Sequence, residues 1–144
     1  MPSVKQILAA KPPGVRTVDA SFTVHAAVAL LASYEIGALV VTEGGRPVGI
    51  FSERDFARKG IIRGRHAHET LVRDVMSAPL VTVTPEQSME DCMELMTARR
   101  IRHLPVMEGE ELVGMVTIGD VVMQVVNAQR STIEQLEGYI TGKY

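Results

Sequence analysis

The stretch Val48-Gly49-Ile50-Phe51-Ser52-Glu53-Arg54-Asp55 recurs 65 residues later as Val113-Gly114-Met115-Val116-Thr117-Ile118-Gly119-Asp120. The same shift aligns residues 36–41 with 101–106, and no gap is needed between positions 15 and 55. Upstream, residues 4–8 match 72–76 at a shift of 68, because residues 11–14 lengthen the first connection. Self-similarity of this kind indicates units that bury their apolar faces against one another. The chain is therefore predicted to consist of two copies of one unit.

Each copy has the pattern of a β-α-β-β-α unit. Short β runs at 16–18 and 81–83 precede a helix, which Ser21 or Thr23 is predicted to cap in the first copy. In the second copy Thr84 is the predicted cap, with Pro85 at the first helical position and Gln87 closing a near capping box.

The remaining elements of each copy form a hairpin followed by a helix. Residues 39–42 and 104–107 are predicted as buried strands, and 47–51 and 112–116 as the return strands. Glycines in the intervening turns supply the positive φ that such turns require. Ser52 and Thr117 then cap a helix that contains Asp55 or Asp120.

The composition excludes several classes of protein. The chain has 144 residues and a formal charge of −2, which does not suit a protein that neutralises many nucleic-acid phosphates. It contains three Phe, three Tyr and no Trp, so an aromatic stacking platform is not expected. No apolar segment is long enough for a membrane span, and the N-terminus has no targeting pattern. With Cys92 as the single cysteine, a reducing, cytoplasmic location is predicted.

Each copy ends in a Gly-hydrophobic-hydrophobic-Ser/Thr-x-x-Asp motif, Gly49 to Asp55 and Gly114 to Asp120. In the second copy, an Arg-His-Leu-Pro-Val segment at 102–106 begins the preceding strand. Together they resemble a tandem pair of cystathionine-β-synthase (CBS) domains, over about residues 4–126. The resemblance implies an α+β fold in which two pseudo-symmetric repeats pack sheet to sheet. It also implies two clefts for adenine nucleotides (AMP, ADP, ATP or NAD(H)), no catalytic cofactor, and pairing into disc-like homodimers.

By the same resemblance, each cleft joins the Ser/Thr-x-x-Asp of one repeat to strand segments of the other. The Asp120 cleft is preferred, because Gly37 and Ala38 leave room for an adenine edge, and Arg102 would reach the phosphates. Its expected residues are Thr17, Val18, Ile36, Gly37, Ala38, Arg102, Thr117 and Asp120. The Asp55 cleft could hold a second nucleotide, with Arg54 as a phosphate partner. Its residues would be Ser52, Arg54, Asp55, Thr82, Val83, Ile101 and His103.

The motif residues have two readings from chemistry alone. A carboxylate one turn into a helix can accept hydrogen bonds from the two hydroxyls of a ribose, and the helix N-terminus favours a phosphate. Alternatively, Asp55 and Asp120 only complete the caps begun by Ser52 and Thr117, since acidic residues are favoured there anyway.

The remaining polar clusters and the methionine stripe are assigned structural roles. Arg99 and Arg100 suit a solvated helix end, and residues 66–69, which include two histidines, suit a solvated loop better than a metal site. No metal site is therefore assigned. Cys92 and the stripe Met89, Met93, Leu95 and Met96 are predicted to lie in the core.

The predicted divisions of the chain are a first repeat at 1–68, a second at 69–128, and a C-terminal helix at 129–144. Ser131 and Glu134 form a capping-box pattern for that helix, whose apolar residues suit a dimer contact or a fold back onto its own repeat.

The leading functional prediction is a non-catalytic sensor that binds an adenine nucleotide and passes the bound state to a protein target, which the sequence does not identify. The alternative is a protein-interaction scaffold with vestigial clefts. No nucleophile with an orienting base and no metal-ligand cluster is found, so no catalytic residue is assigned and an enzyme is not predicted.

Overall fold

A computed structural model describes residues 1–141. The first half contains α1 (Val4–Ala9), β1 (Thr17–Asp19), α2 (Val24–Tyr34), β2 (Ala38–Glu43), β3 (Arg46–Ser52) and α3 (Glu53–Asp55), which continues into a π-helical segment, Phe56–Ile61. The second half contains α4 (Val72–Val75), α5 (Met89–Arg99), β4 (His103–Glu108), β5 (Glu111–Thr117) and α6 (Ile118–Ile140). The predicted α+β class and its two repeats are confirmed.

Two small sheets carry the two repeats. In the first, β1 pairs in parallel with β2, and β2 pairs antiparallel with β3. In the second, β4 and β5 form an antiparallel pair, and the predicted strand at 81–83 is reduced to one bridge between Val83 and Val106. Both hairpins turn through glycines with positive φ, as predicted: Gly44 at 59° and Gly109 at 63°.

The helix caps at the end of each return strand are also confirmed. Ser52 accepts a hydrogen bond from the Asp55 backbone N–H, and the Asp55 carboxylate accepts one from the Ser52 N–H. Thr117 and Asp120 form the same reciprocal pair at the start of α6. Because the two caps have the same geometry, the two carboxylates occupy equivalent positions in the two repeats.

The start of α5 differs from the prediction. Ser88 caps this helix in a capping box with Asp91, whereas Thr84 lies outside it. Residues 84–87 form a separate turn, in which the Thr84 N–H donates to the Gln87 side chain at 2.8 Å. In the first repeat, Thr23 is the cap of α2, and Ser88 is its counterpart at the shift of 65.

The two repeats exchange their first helices. Val4 and Ile7 of α1 are buried in the core of the second repeat, with residues such as Met89 and Leu104. Val72 and Val75 of α4 are buried in the core of the first repeat. Backbone hydrogen bonds anchor both helices, for example from the Val4 N–H to the Gln87 carbonyl at 2.8 Å. Each hydrophobic core therefore contains one helix from the other sequence repeat.

This exchange explains the motif glycines. A Cβ on Gly49 would stand 2.8 Å from the carbonyl oxygen of Ser77, in the segment that follows α4. A Cβ on Gly114 would stand 2.8 Å from Cδ2 of Leu8 in α1. Each return strand thus carries a glycine where the other repeat's first helix comes closest.

The C-terminal helix is confirmed, but it does not begin near Ser131. It is the second half of α6, which runs unbroken from Ile118 to Ile140. Ser131 lies inside it because no Gly or Pro interrupts the sequence between Asp120 and Gly138. Residues 142–144 of the predicted segment lie outside the described residues. Within residues 1–141, no helix is long and apolar enough to cross a bilayer.

The core prediction for α5 holds except at one position. Met89, Cys92 and Met96 are buried, and burial followed by the charge of Asp91 raises the pKa of the Cys92 thiol. Met93 is 38% exposed, so its assignment to the core is wrong. Its side chain lines a groove between α5 and α6 instead.

Candidate functional site

A cavity of about 220 Å³ opens between the two repeats at the end of β3. The first repeat contributes Ser52 and Asp55 to its wall, and the second contributes the segment that leads into β4. Five of its lining side chains are cationic, and one, Asp55, is anionic. The cations are Arg54, Arg58, Lys59, Arg100 and Arg102. In a chain with a formal charge of −2, this cavity is a local concentration of positive charge.

Asp55 lines this cavity and is buried, with 7% of the residue exposed. Its Oδ2 accepts hydrogen bonds from the backbone N–H and the hydroxyl of Ser52. Its Oδ1 accepts one from the Ser77 hydroxyl at 2.7 Å and lies 3.4 Å from Lys59 Nζ. Several donors therefore hold the buried carboxylate in place.

The equivalent carboxylate, Asp120, has different surroundings. Lys11 Nζ lies 2.7 Å from its Oδ2, and the same ammonium donates to the Met115 carbonyl oxygen at 2.8 Å. Both side chains are partly buried, Lys11 at 29% and Asp120 at 19% exposed. Each motif carboxylate thus lies near a lysine. Lys59 comes from the helix of Asp55 itself, whereas Lys11 comes from a segment 109 positions before Asp120.

His103 lies between the cavity and Gly37. It lines the cavity, and its Nε2 is 3.6 Å from where a Cβ on Gly37 would stand. Burial lowers the pKa of His103 from its ordinary value, and the nearby charges of Arg102 and Lys11 lower it further, against the opposing effect of Asp55 and Glu53. The imidazole is therefore neutral at pH 7.

A family model for the CBS domain matches the chain twice, at residues 4–61 and 72–127. The chain belongs to the CBS domain family. It is 44% identical over 127 residues to the mitochondrial CBS domain-containing protein CBSX3 of Arabidopsis thaliana, covering 85% of this chain and 62% of that relative. The chain therefore spans less than two thirds of the length of CBSX3. Because that relative is mitochondrial by name, the cytoplasmic location stays a prediction.

Solved structures agree with the CBS assignment. A protein with CBS domains from Burkholderia ambifaria MC40-6 superposes with a TM-score of 0.86 at 43% identity, covering 89% of this chain and 96% of that one. CBSX2, solved in complex with AMP, superposes with a TM-score of 0.72 at 23% identity, covering 88% and 98% of the two chains. At that identity the likeness to CBSX2 shows the fold alone.

Most residues predicted for the Asp55 cleft of this CBS pair lie together. Ser52, Arg54, Asp55, Ile101 and His103 line the cavity. Thr82 is exposed and Val83 is buried in the core of the second repeat, and the neighbouring Val81 lines the cavity in their place.

The residues predicted for the Asp120 cleft are more scattered. Thr117 and Asp120 form the cap of α6, whereas Val18 and Ala38 are buried and Thr17 is exposed on β1. Ile36 packs against the core of the first repeat, and Gly37 lies beside His103. Arg102 lines the Asp55 cavity, because residues 100–102 run along that wall before β4 begins at His103.

Several cavity residues were not predicted from the sequence. Lys59 lies four residues after Asp55, a spacing at which helical side chains meet, so helix periodicity could have identified it. Ser77 follows α4 and reaches the cavity only through the helix exchange, which has no local signal. Arg100 was expected only at a helix end; it does end α5, with φ 53°, and it also lines the cavity.

The histidines near residue 66 do not form a cluster of ligands. The imidazole of His68 stacks on that of His25 in α2, with ring centroids 4.0 Å apart. Among residues 1–141, no group of three or more His, Cys, Asp or Glu side chains is arranged to hold a metal ion.

Proposed function

We propose that this CBS pair is a non-catalytic regulatory module that binds an adenine nucleotide in the Asp55 cleft. The observation that carries the proposal is the cavity between the repeats, which combines a buried carboxylate with five cationic side chains. The sequence favoured the Asp120 cleft, but there Lys11 already pairs with the carboxylate. Beside Asp55, a cavity of about 220 Å³ is open.

The carboxylate suits the ribose. The two oxygens of Asp55 can accept hydrogen bonds from the 2′- and 3′-hydroxyls, since an ionised carboxylate has several acceptor positions. A ribose hydroxyl would take the place of the Ser77 hydroxyl, now 2.7 Å from Oδ1. Aliphatic side chains such as Ile50, Leu80 and Val81 would cover the base in a protein that lacks tryptophan.

The cations suit the phosphates. Guanidinium groups form forked, charge-assisted hydrogen bonds with phosphate oxygens, and four arginines line the cavity. The volume of about 220 Å³ is below the ~300 Å³ of ordinary ligand pockets. A nucleotide would therefore fill the cavity and extend its phosphates along the arginine rim. We expect ADP, ATP or NAD(H) to bind more tightly than AMP.

Regulation would follow from the position of the ligand. A nucleotide in this cavity contacts both repeats, so it stabilises whichever relative packing of the repeats fits it best. A protein target that contacts both repeats would then sense the bound state.

Calorimetric titration with AMP, ADP, ATP and NAD(H) tests the proposal. We expect Asp55→Ala to abolish binding and Asp120→Ala to retain it, with both variants checked for folding by circular dichroism. A thermal shift provides a second readout, because a ligand at a hundred times its Kd stabilises by about 2.7 kcal/mol. If no nucleotide binds at millimolar concentration, the scaffold alternative is the better description. Release of products from bound nucleotide would show an enzyme instead.

We also propose that two chains associate through α5 and α6. The groove between these helices, about 510 Å³, is lined by exposed side chains that include Met93, Ile118 and Val122. Beyond the repeats, Ile133, Leu136 and Tyr139 of α6 are exposed by more than half. Apolar surface of this kind marks association sites. Sedimentation equilibrium should give a dimer, which Val122→Asp converts to a monomer. Asn127→Asp, an exposed position on another face of α6, should leave the dimer intact.

A further inference from the structure

The ammonium of Lys11 occupies hydrogen-bonding positions beside Asp120 that a bound nucleoside would need. It lies 2.7 Å from Asp120 Oδ2 and donates to the Met115 carbonyl oxygen at 2.8 Å. Met115 is the counterpart, at the shift of 65, of Ile50, which lines the Asp55 cavity. One ammonium therefore already binds both the motif carboxylate and a carbonyl oxygen of the return strand beside it.

The backbone holds Lys11 at this place. It follows α1, whose Val4 and Ile7 are buried in the core of the second repeat. The Lys11 N–H also donates to the Leu8 carbonyl at 3.1 Å, so the residue continues from the anchored helix. The pair with Asp120 is partly buried, unlike an exposed surface ion pair that side-chain freedom and salt would weaken.

In the first repeat, no lysine from the segment after the exchanged helix α4 contacts Asp55. The shorter connection that follows α4, residues 77–79, is Ser-Ala-Pro and contains no lysine. Lys59 approaches Asp55 from its own helix at the longer distance of 3.4 Å, and the cavity beside it stays open. Of the charged side chains that differ between the two clefts, Lys11 is the one that the exchanged helix places on the motif carboxylate.

We infer that Lys11 is an internal ligand of Asp120 that closes the Asp120 cleft, so that the chain binds one nucleotide rather than two. This inference rests on the proposed function for the identity of the ligand. A ribose entering the Asp120 cleft would have to displace the ammonium and leave it partly buried without its carboxylate, which costs free energy.

Counting nucleotide sites by calorimetry tests this inference. With ATP and with AMP, we expect one site per chain in the wild type and two in Lys11→Ala. Lys11→Ser is a second variant, in case the alanine variant folds poorly. Lys11→Arg should keep one site because it keeps the charge. Lys5→Ala is the matched control, since Lys5 lies exposed on α1. Adding Asp120→Ala to Lys11→Ala should remove the gained site.

The measured quantity is the difference in the number of sites between Lys11→Ala and the wild type. A difference of one supports the closure, even if the wild type binds nothing and the proposed function fails. No difference in either folded Lys11 variant, or two sites in the wild type, would overturn it. The proposed function is judged separately, from the wild-type site and its loss in Asp55→Ala.

Discussion

The hydroxyl of Ser77 donates to Oδ1 of Asp55 at 2.7 Å, across 22 positions of the chain. Ser77 follows α4, so this bond ties the segment after the exchanged helix to the motif carboxylate of the first repeat. It also satisfies the oxygen that a ribose hydroxyl would approach. The bond therefore stabilises the free protein and competes with the proposed ligand.

Removing the Ser77 hydroxyl should separate these two effects. We expect Ser77→Ala to lower the free energy of unfolding by about 1 kcal/mol, because a carboxylate hydrogen bond is lost. The affinity for ATP should stay the same or rise, since Oδ1 is then free. Urea unfolding and calorimetry measure both quantities, with Ser33→Ala on the exposed face of α2 as the control. A clear fall in affinity would mean that Ser77 itself contacts the ligand.

The arginine rim should discriminate between nucleotides. We expect Arg54→Gln and Arg58→Gln each to weaken ATP binding about 3- to 10-fold, and AMP binding less, because the longer phosphate chain meets more guanidinium groups. Raising the salt concentration should weaken ATP binding more than AMP binding. Arg46→Gln, at the exposed start of β3, serves as the control. Equal losses for AMP and ATP would argue against phosphates along this rim.

The two motif glycines should differ in their tolerance of a methyl group. Gly49→Ala places Cβ against the Ser77 carbonyl, which is backbone, so the free energy of unfolding should fall by about 1–3 kcal/mol. Gly114→Ala meets the Leu8 side chain, which can move more easily than backbone, so the loss should be smaller. Urea unfolding of the two variants under the same conditions is the measurement. Equal losses would show that Leu8 gives way no more easily than backbone, and no loss at either position would contradict the exchanged-helix explanation.

Acid should destabilise the fold partly through His103. Its pKa in the folded chain lies below the 6.5 of the unfolded chain, so the unfolded state binds more protons in between. Its contribution is complete above pH 6.5 and is lost as the pH falls through the folded pKa. We expect His103→Gln to flatten the fall in stability below pH 6.5, and the exposed His66→Gln to leave it unchanged. Unfolding curves from pH 7.5 to 5 measure the slope. Equal slopes in wild type and His103→Gln would contradict this.

Local signals in the sequence were enough for the hairpins and for the caps at Ser52 and Thr117, because glycine turns and capping residues act over a few positions. The cap of α5 was misassigned to Thr84 because Pro85 and Gln87 imitate a capping box, although the internal repeat pointed to Ser88. Contacts such as Lys11 with Asp120, 109 positions apart, have no local signature. The sequence could therefore place the two motif carboxylates but not the side chains from distant segments that contact them.

The exchange of α1 and α4 has a consequence for how such a pair could have originated. In a single repeat, a first helix that points away from its own sheet would leave that sheet uncovered. The same helix would be available to pack on a second copy. Two separate copies would then have completed each other by swapping helices, as a domain-swapped homodimer does. Duplication and fusion would turn that association into an intramolecular one. After fusion, the two segments that follow the first helices could change independently. One segment now contains Lys11 and the other Pro79, so the two motif carboxylates have different neighbours.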